Sequence, residues 1–294
     1  MFSPEAFEIL LNTPWLLYTA VFLTSLCVGS FLNVVILRLP QMMHQDWRCQ
    51  CEEFLELPEA DRKTRQKVTL SSPASTCPSC GHKIKPRENI PVISYLVLGG
   101  KCSSCKTGIS PRYPVIEAVT ALLSVVTVVV IGPGYEALWA LLLVWTLIGL
   151  TVIDFDTQLL PDSMTLPLMW LGLILNYYHT FTDFSSAFWG AIAGYLSLWS
   201  VYWLFKLATG KEGMGHGDFK LLAALGAWLG WQLLPAVILL SSVVGAMVGI
   251  SLIVFRKHGR EIPIPFGPYL AAAGLLCLWF GAEIQAAWYN YLGL

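Results

Sequence analysis

Apolar runs long enough to cross a bilayer, which takes ~20 residues, recur along this chain at 15–37, 114–131, 136–153, 163–180, 187–208, 219–234, 236–255 and 267–288. They predict an all-α polytopic membrane protein of about eight transmembrane helices. No Lys or Arg precedes the first run and no small-residue cleavage site follows it, so it reads as a retained helix and not as a signal peptide. Small residues recur at four-residue spacing on three successive spans, as Gly190/Gly194, Gly226/Gly230 and Gly245/Gly249. Such pairs let helix backbones approach closely in lipid. They are expected to serve packing and not chemistry.

The one sizeable polar stretch is 38–112. It divides the chain into a first transmembrane segment (1–37), a polar insert (38–112) and a seven-helix stretch (113–294). The insert is too short and too polar for a large core, and a domain of this size often needs a staple.

Composition sharpens this picture. The chain is 55% hydrophobic and 13% charged, with a mean hydropathy of +0.62, where soluble domains carry about 25% charged residues. The net charge of −1 conceals very uneven placement. Of the 18 Lys and Arg, twelve lie between Arg38 and Arg112; the others are Lys206, Lys211, Lys220, Arg256, Lys257 and Arg260. With eight spans all three clusters fall on one side, which the positive-inside rule makes cytoplasmic. The insert is then cytoplasmic and both termini face the periplasm or exterior. The partner implied is the lipid bilayer, and no nucleic-acid partner is expected.

Within the insert, Cys77-Pro78-Ser79-Cys80 and Cys102-Ser103-Ser104-Cys105 stand 21 residues apart. Two thiolates on each of two tight knuckles suit tetrahedral zinc, and four cysteines leave no open position, so the metal is expected to be structural. Gly81, Gly100 and Gly108 suit the turns, and Lys83 and Lys101 offset the charge of four thiolates. Two disulfides or a redox-active pair are the alternatives; a reducing cytoplasm argues against the disulfides. Cys49 and Cys51 do not fit the spacing. Cys27 and Cys277 sit in apolar spans and are expected in the core.

Ionisable residues at or inside spans are costly and raise a functional question. Asp154, in Val152-Ile153-Asp154-Phe155-Asp156, closes the third predicted span. Asp218, in Gly215-His216-Gly217-Asp218-Phe219-Lys220, opens the sixth. On the predicted topology they share one depth and one face. Two carboxylates within hydrogen-bond reach would share a proton, a state suited to peptide hydrolysis. Gly215 and Gly217 leave room for close backbone approach. Aspartates at helix ends also cap helices or mark the interface, so the residues alone leave both readings open. Asp162 after Pro161 reads as an N-cap, Asp156 as interfacial, and His216 as a hydrogen-bond partner. Glu117 is either a buried functional acid or a satisfied interfacial one. No G-x-S-x-G, H-E-x-x-H or P-loop occurs. Gly132-Pro133-Gly134 is a turn.

Taken in order, these motifs resemble the type IV prepilin peptidase family over nearly the whole chain. The segments are Gly29-Ser30-Phe31-Leu32-Asn33-Val34 with Arg38 and Pro40, the paired Cys knuckles, and Ile109-Ser110-Pro111-Arg112-Tyr113-Pro114 with Glu117. Then come Asp154 with Leu160-Pro161-Asp162, the segment Gly215 to Lys220, and Pro265-Phe266-Gly267-Pro268. The chain is also similar to the wider class of GxGD intramembrane aspartic proteases. The resemblance implies an inner-membrane enzyme with Asp154 and Asp218 as its peptidase dyad. It implies prepilins and type II secretion pseudopilins as substrates, cut after a Gly and before a residue that is usually Phe. It further implies methylation of the new α-amino group by S-adenosylmethionine, with the polar insert contributing and Gly100 as a candidate cofactor residue. Two other classes compete on the residues alone. An ion-coupled transporter would place its acids at the midplane in broken helices; a non-enzymatic assembly subunit would leave the Gly215–Lys220 pattern unexplained.

Overall fold

The computed structural model describes residues 13–56, 67–256 and 264–292. The chain divides into two compact units, Met1–Pro133 and Gly134–Leu294. Among the described residues the secondary structure is helical, with two isolated antiparallel bridges and no strand. The expected placement of the two termini concerns residues 1–12 and 293–294, outside the described residues.

The first unit is built on α1 (Pro14–Phe54) and α3 (Arg112–Ile131). α1 has 41 residues, about 60 Å at 1.5 Å per residue, twice the ~30 Å hydrocarbon layer. Its apolar first half can span, and the polar remainder continues beyond as helix. Helix therefore runs through Pro40 and through the expected boundary at 37/38. The two helices approach closely at Gly29, where a Cβ would lie 2.7 Å from Glu117 Cα and 3.1 Å from Thr120 Cβ. On this face α3 buries Thr120 and Ser124, whose hydroxyls donate to the carbonyls of Ile116 and Thr120, each at 2.7 Å. The polar groups are thus satisfied within the helix.

Between these helices the chain forms two knuckles and the short helix α2 (Ile93–Val97). The knuckles repeat one hydrogen-bond plan. Cys77 N donates to His82 O and Gly81 N to Cys77 O; Cys102 N donates to Thr107 O and Lys106 N to Cys102 O. In both, the fourth residue after the first Cys is left-handed, Gly81 at φ 70° and Lys106 at φ 61°. The second knuckle thus makes its turn with Lys106 and not with the expected Gly108. The Arg38 guanidinium grips the approach to the first knuckle, donating to the carbonyls of Thr69, Leu70 and Pro73.

The second unit holds α4 (Tyr135–Thr157), α5 (Asp162–Tyr177), α6 (Phe184–Thr209), α7 (His216–Leu229), α8 (Leu234–Arg256) and α9 (Gly267–Leu292). Every residue of α7 from Phe219 to Leu229 except Lys220 is buried, as expected of a helix apolar on all sides. α6 crosses it at bare backbone: a Cβ on Gly190 would strike Gly226 O, one on Gly226 would strike Gly190 O, and one on Gly194 would lie 2.6 Å from Leu222 O. Two of the three small-residue pairs therefore contribute to one crossing. The C-terminal end of α7 is latched by Asn176, which donates to the carbonyls of Ala227 and Trp228 and accepts from the amides of Phe181 and Thr182. Trp228 Nε1 donates to Leu168 O at 2.8 Å.

Among the described residues six helices are long and apolar enough to cross a membrane: α1, α3, α4, α6, α8 with the turn before it, and α9. The remaining two of the eight expected spans are helices of 16 and 14 residues, α5 and α7. The expected 219–234 run breaks at Gly230, left-handed at φ 82°, before a 3-10 turn at Trp231–Leu233. A helix wrapped by its neighbours can be short, because broken backbone is tolerated where protein and not lipid surrounds it.

Candidate active site and candidate metal centre

Asp154 lies in the last turn of α4 and Asp218 in the first turn of α7. Their residues are only 5% and 6% exposed. Asp154 Oδ2 accepts from Gly267 N at 3.0 Å. Gly267 opens α9, so the donor is one of the free amides at a helix N-terminus, where negative charge is favoured. A Cβ on Gly267 would sit 2.7 Å from that oxygen, so only glycine brings the amide this close. Asp218 Oδ1 is buried without a hydrogen-bond partner among the described residues.

Leu160 wedges between the N-terminal ends of α7 and α9. A Cβ on Gly217 would meet Leu160 Cβ at 2.7 Å, and one on Gly267 would meet Leu160 Cδ1 at 3.3 Å. Gly217 is therefore required by packing, whereas a Cβ on Gly215 would meet only Asp218 Oδ2 at an ordinary 3.6 Å. Asp156, two residues from Asp154, is exposed. His216 is exposed and packs its ring on Tyr202 and Phe219. Asp162 differs from the expected N-cap: it is the first helical residue of α5, after Pro161, and it clamps Lys220 Nζ at 2.6 and 2.7 Å.

In the first unit the Sγ atoms of Cys77, Cys80, Cys102 and Cys105 all lie within 4.8 Å of one another, Cys77 and Cys105 at 3.8 Å. None of the four is in a disulfide. Zn–S bonds of about 2.3 Å in a tetrahedron put sulfurs roughly 3.8 Å apart, so the cluster fits a metal ion. Cys49 and Cys51 are exposed near the end of α1, outside the cluster. Cys277 is buried as expected, but Cys27 is exposed, its span being apolar on faces that do not pack.

Beside the knuckles lies a cavity of about 590 Å³ that the sequence did not announce. One face of α1, with Ser30, Asn33, Val34 and Leu37, lines it, as do Tyr113 and Glu117 from the start of α3. Glu117 is buried and accepts the Val92 amide at 2.8 Å. It is thus a satisfied acid, and it holds Val92 in a left-handed conformation (φ 59°) that a β-branched residue rarely adopts. Glu88, also on the wall, accepts from the Lys85 amide at 2.9 Å and faces His82 at 3.2 Å. Hydrogen bonds from Lys85 N and Ser103, with His82 beside it, pull its carboxyl down to about 2. Gly100 does not reach the cavity: its backbone is left-handed (φ 67°), and a Cβ there would lie 2.9 Å from Tyr95 Oη, the side chain that does.

A helical multi-pass membrane protein with two buried carboxyls at helix ends is the class that this fold and site define. Residues 23–131 match the bacterial peptidase A24 N-terminal domain and residues 141–250 match the type IV leader peptidase family. The chain belongs to the type IV leader peptidase family. It is 53% identical over 282 residues to the prepilin leader peptidase/N-methyltransferase of Aeromonas salmonicida (strain A449), covering 96% of this chain and 97% of the relative. It is 53% identical to the protein of that name from Stutzerimonas stutzeri (98% and 99% covered) and 51% identical to that from Pseudomonas aeruginosa (97% and 98% covered). No solved structure matches the chain significantly.

Proposed function

We propose that this chain is a bifunctional membrane enzyme. It cleaves the leader from type IV prepilins and type II secretion pseudopilins, and then N-methylates the new terminus using S-adenosylmethionine. Full-length likeness to proteins named for both activities supports the pairing. The observation that carries the peptidase is the buried pair Asp154 and Asp218 at two helix ends, one oxygen fixed by Gly267 and another without a partner among the described residues.

Two such carboxyls share one proton. The ionised member takes a proton from water while the protonated member donates to the scissile carbonyl, so hydroxide adds to the carbonyl carbon. On collapse the newly protonated carboxyl gives its proton to the leaving amine as the C–N bond breaks, and the other carboxylate takes a hydroxyl proton from the tetrahedral diol, which restores the shared-proton state. No covalent intermediate is required. The Gly267 amide orients Asp154, and the close packing of Gly217 on Leu160 holds the start of α7 and with it Asp218.

The four cysteines hold structural zinc; their sulfur spacing supports it, and a fully ligated ion leaves no site for substrate. The functional divisions are a first span (1–37), the zinc module (38–112) and the peptidase helices (113–294). The one-sided Lys and Arg distribution supports an inner-membrane protein with the zinc module cytoplasmic and both termini periplasmic. The cleavage site of a prepilin, at the cytoplasmic end of its apolar helix, then meets carboxyls at that face. Bound S-adenosylmethionine supplies an electrophilic methyl carbon, taken by the amine lone pair as the C–S pair returns to sulfur and the amine gives up one proton.

Purified protein in detergent should cut a prepilin peptide between Gly and Phe and, with S-adenosylmethionine added, add one methyl group of 14 Da to the product. Absence of cleavage overturns the peptidase; cleavage without a mass gain overturns only the methyltransferase.

A further inference from the structure

We infer that α2, with the turn before it, is a foot by which the polar insert docks on the anionic cytoplasmic leaflet, an inference that rests on the reading of residues 38–112 as a cytoplasmic module. Ile90, Val92, Ile93, Leu96, Val97 and Leu98 stand within nine residues of a segment that is otherwise polar. The short helix has two faces. Ser94 is buried, and its hydroxyl donates to Ile90 O at 2.7 Å. On the other face Ile90, Ile93, Leu96 and Val97 are exposed, the last two at 70% and 79%. Neighbouring apolar side chains left open in this way mark a protein or membrane contact.

Depth selects the bilayer as the partner. α3 has 20 residues from Arg112 to Ile131, about 30 Å at 1.5 Å per residue, and the ~30 Å hydrocarbon layer takes up all of it. Arg112 therefore stands at the interface, and Glu117 lies about 8 Å inside the span. Glu117 accepts the Val92 amide at 2.8 Å, and its Cα packs against Gly29 in the apolar half of α1. The backbone that enters α2 is thus tied to the flank of a transmembrane helix. Interfacial helices bury their apolar faces to a similar depth, about 5–10 Å. A soluble partner would have to displace lipid to reach it.

The charge around the foot fits the same partner. Residues 67–112 hold seven Lys and Arg and one acid, Glu88, which is engaged by the Lys85 amide and His82. Arg87 precedes the apolar stretch and Lys101 follows it, both exposed. Both adjoin it: Ser94 Oγ donates to Arg87 O at 3.5 Å, and Lys101 N donates to Leu98 O at 3.3 Å. Cations in this position keep their heads among lipid phosphates while the apolar side chains enter the acyl boundary. Held at α1, α3 and α2, the module gains a third attachment and cannot swing about two helix ends.

The test uses the full chain in vesicles of phosphatidylethanolamine and phosphatidylglycerol in equal parts. Photoreactive p-benzoylphenylalanine in place of Leu96 or Val97 should give lipid adducts on irradiation, read by mass spectrometry. The same group in place of Glu53, near the polar end of α1, should give none. Phosphatidylglycerol should outnumber phosphatidylethanolamine in the adducts about threefold, and Arg87→Gln with Lys101→Gln should bring the two lipids near parity. Metal content is the folding control; where a charge variant loses its metal, the lipid ratio on the parent charges decides. Adducts from Leu96 and Val97 only to residues 134–294 or to a second copy of the chain overturn the docking, as do lipid adducts of equal yield at Glu53. Equal capture of the two lipids overturns the anionic leaflet as the partner. Cys49 is exposed and reports the side: an impermeant maleimide that labels it from outside intact spheroplasts overturns the cytoplasmic placement and the proposal together. Absent lipid adducts with Cys49 shielded overturn the docking alone.

Discussion

The Gly267 amide and the Asp154 carboxylate are 3.0 Å apart, with no space for a Cβ between them. A residue in a loop-to-helix junction thus orients an aspartate 113 positions earlier. Gly267→Ala should push the carboxylate aside. Misplacement of about 1 Å can cost about a hundredfold in rate. Initial rates of prepilin cleavage should fall by about that factor, while metal content stays at the parental value.

Asp154→Asn and Asp218→Asn should each lower cleavage by about a thousandfold or more, since each removes half of a proton-sharing pair. Methylation of an already cleaved pilin should persist in both. Asp156→Asn, on the exposed side of the same helix turn, should cleave at near-parental rates. Mass spectrometry of the two products separates the activities. Loss of cleavage in Asp156→Asn with retention in Asp154→Asn would reassign the dyad.

The Asp162–Lys220 clamp is short, but the Asp162 side chain is 56% exposed and that of Lys220 28%. Exposed pairs contribute about 0–1 kcal/mol. Asp162→Asn should therefore shift the unfolding midpoint by no more than a few degrees, and cleavage should survive. A complete loss would mean that the clamp aligns Asp218, two residues before Lys220.

Purified protein should carry one zinc per chain, and Cys77→Ser should lose it. Thiolates bind metal and thiols do not. Protons therefore compete with the ion, and occupancy falls as pH falls. The Thr107 hydroxyl and amide draw the Cys105 thiol down to about 6, which favours the thiolate form that binds metal. Zinc release to a chelator, followed by a colorimetric indicator, should rise as pH falls. Release that is independent of pH would argue against thiolate ligation.

Gly226→Ala should destabilise the second unit by roughly 1–3 kcal/mol, the usual cost of overpacking a core. Its Cβ would strike the Gly190 carbonyl. Thermal unfolding in detergent should show the loss, and Gly245→Ala, where a Cβ would meet only the Tyr269 ring at 3.2 Å, should cost less.

By itself the sequence determined the features that depend on local pattern. Long apolar runs mark helices because backbone polar groups in lipid must be satisfied within the segment. The Cys77/Cys80 and Cys102/Cys105 spacing marks a four-cysteine cluster that could hold a metal, because each knuckle is closed by its own backbone. Asp154 and Asp218 stood out because charge at the end of an apolar run is costly. Only the tertiary structure decided the rest. Lipid tails are as apolar as leucine, so apolarity does not say which face packs; Cys27 is exposed and Cys277 buried in equally apolar runs. For the same reason the central position of α7 was hidden, and with it the brevity that protein surroundings permit. The Gly267 amide on Asp154, the Leu160 wedge, the Asn176 latch and the cavity walled by α1, Tyr95 and Glu117 join positions far apart in the chain. Such groups carry no periodicity or spacing of their own, and folding alone brings them within hydrogen-bonding distance.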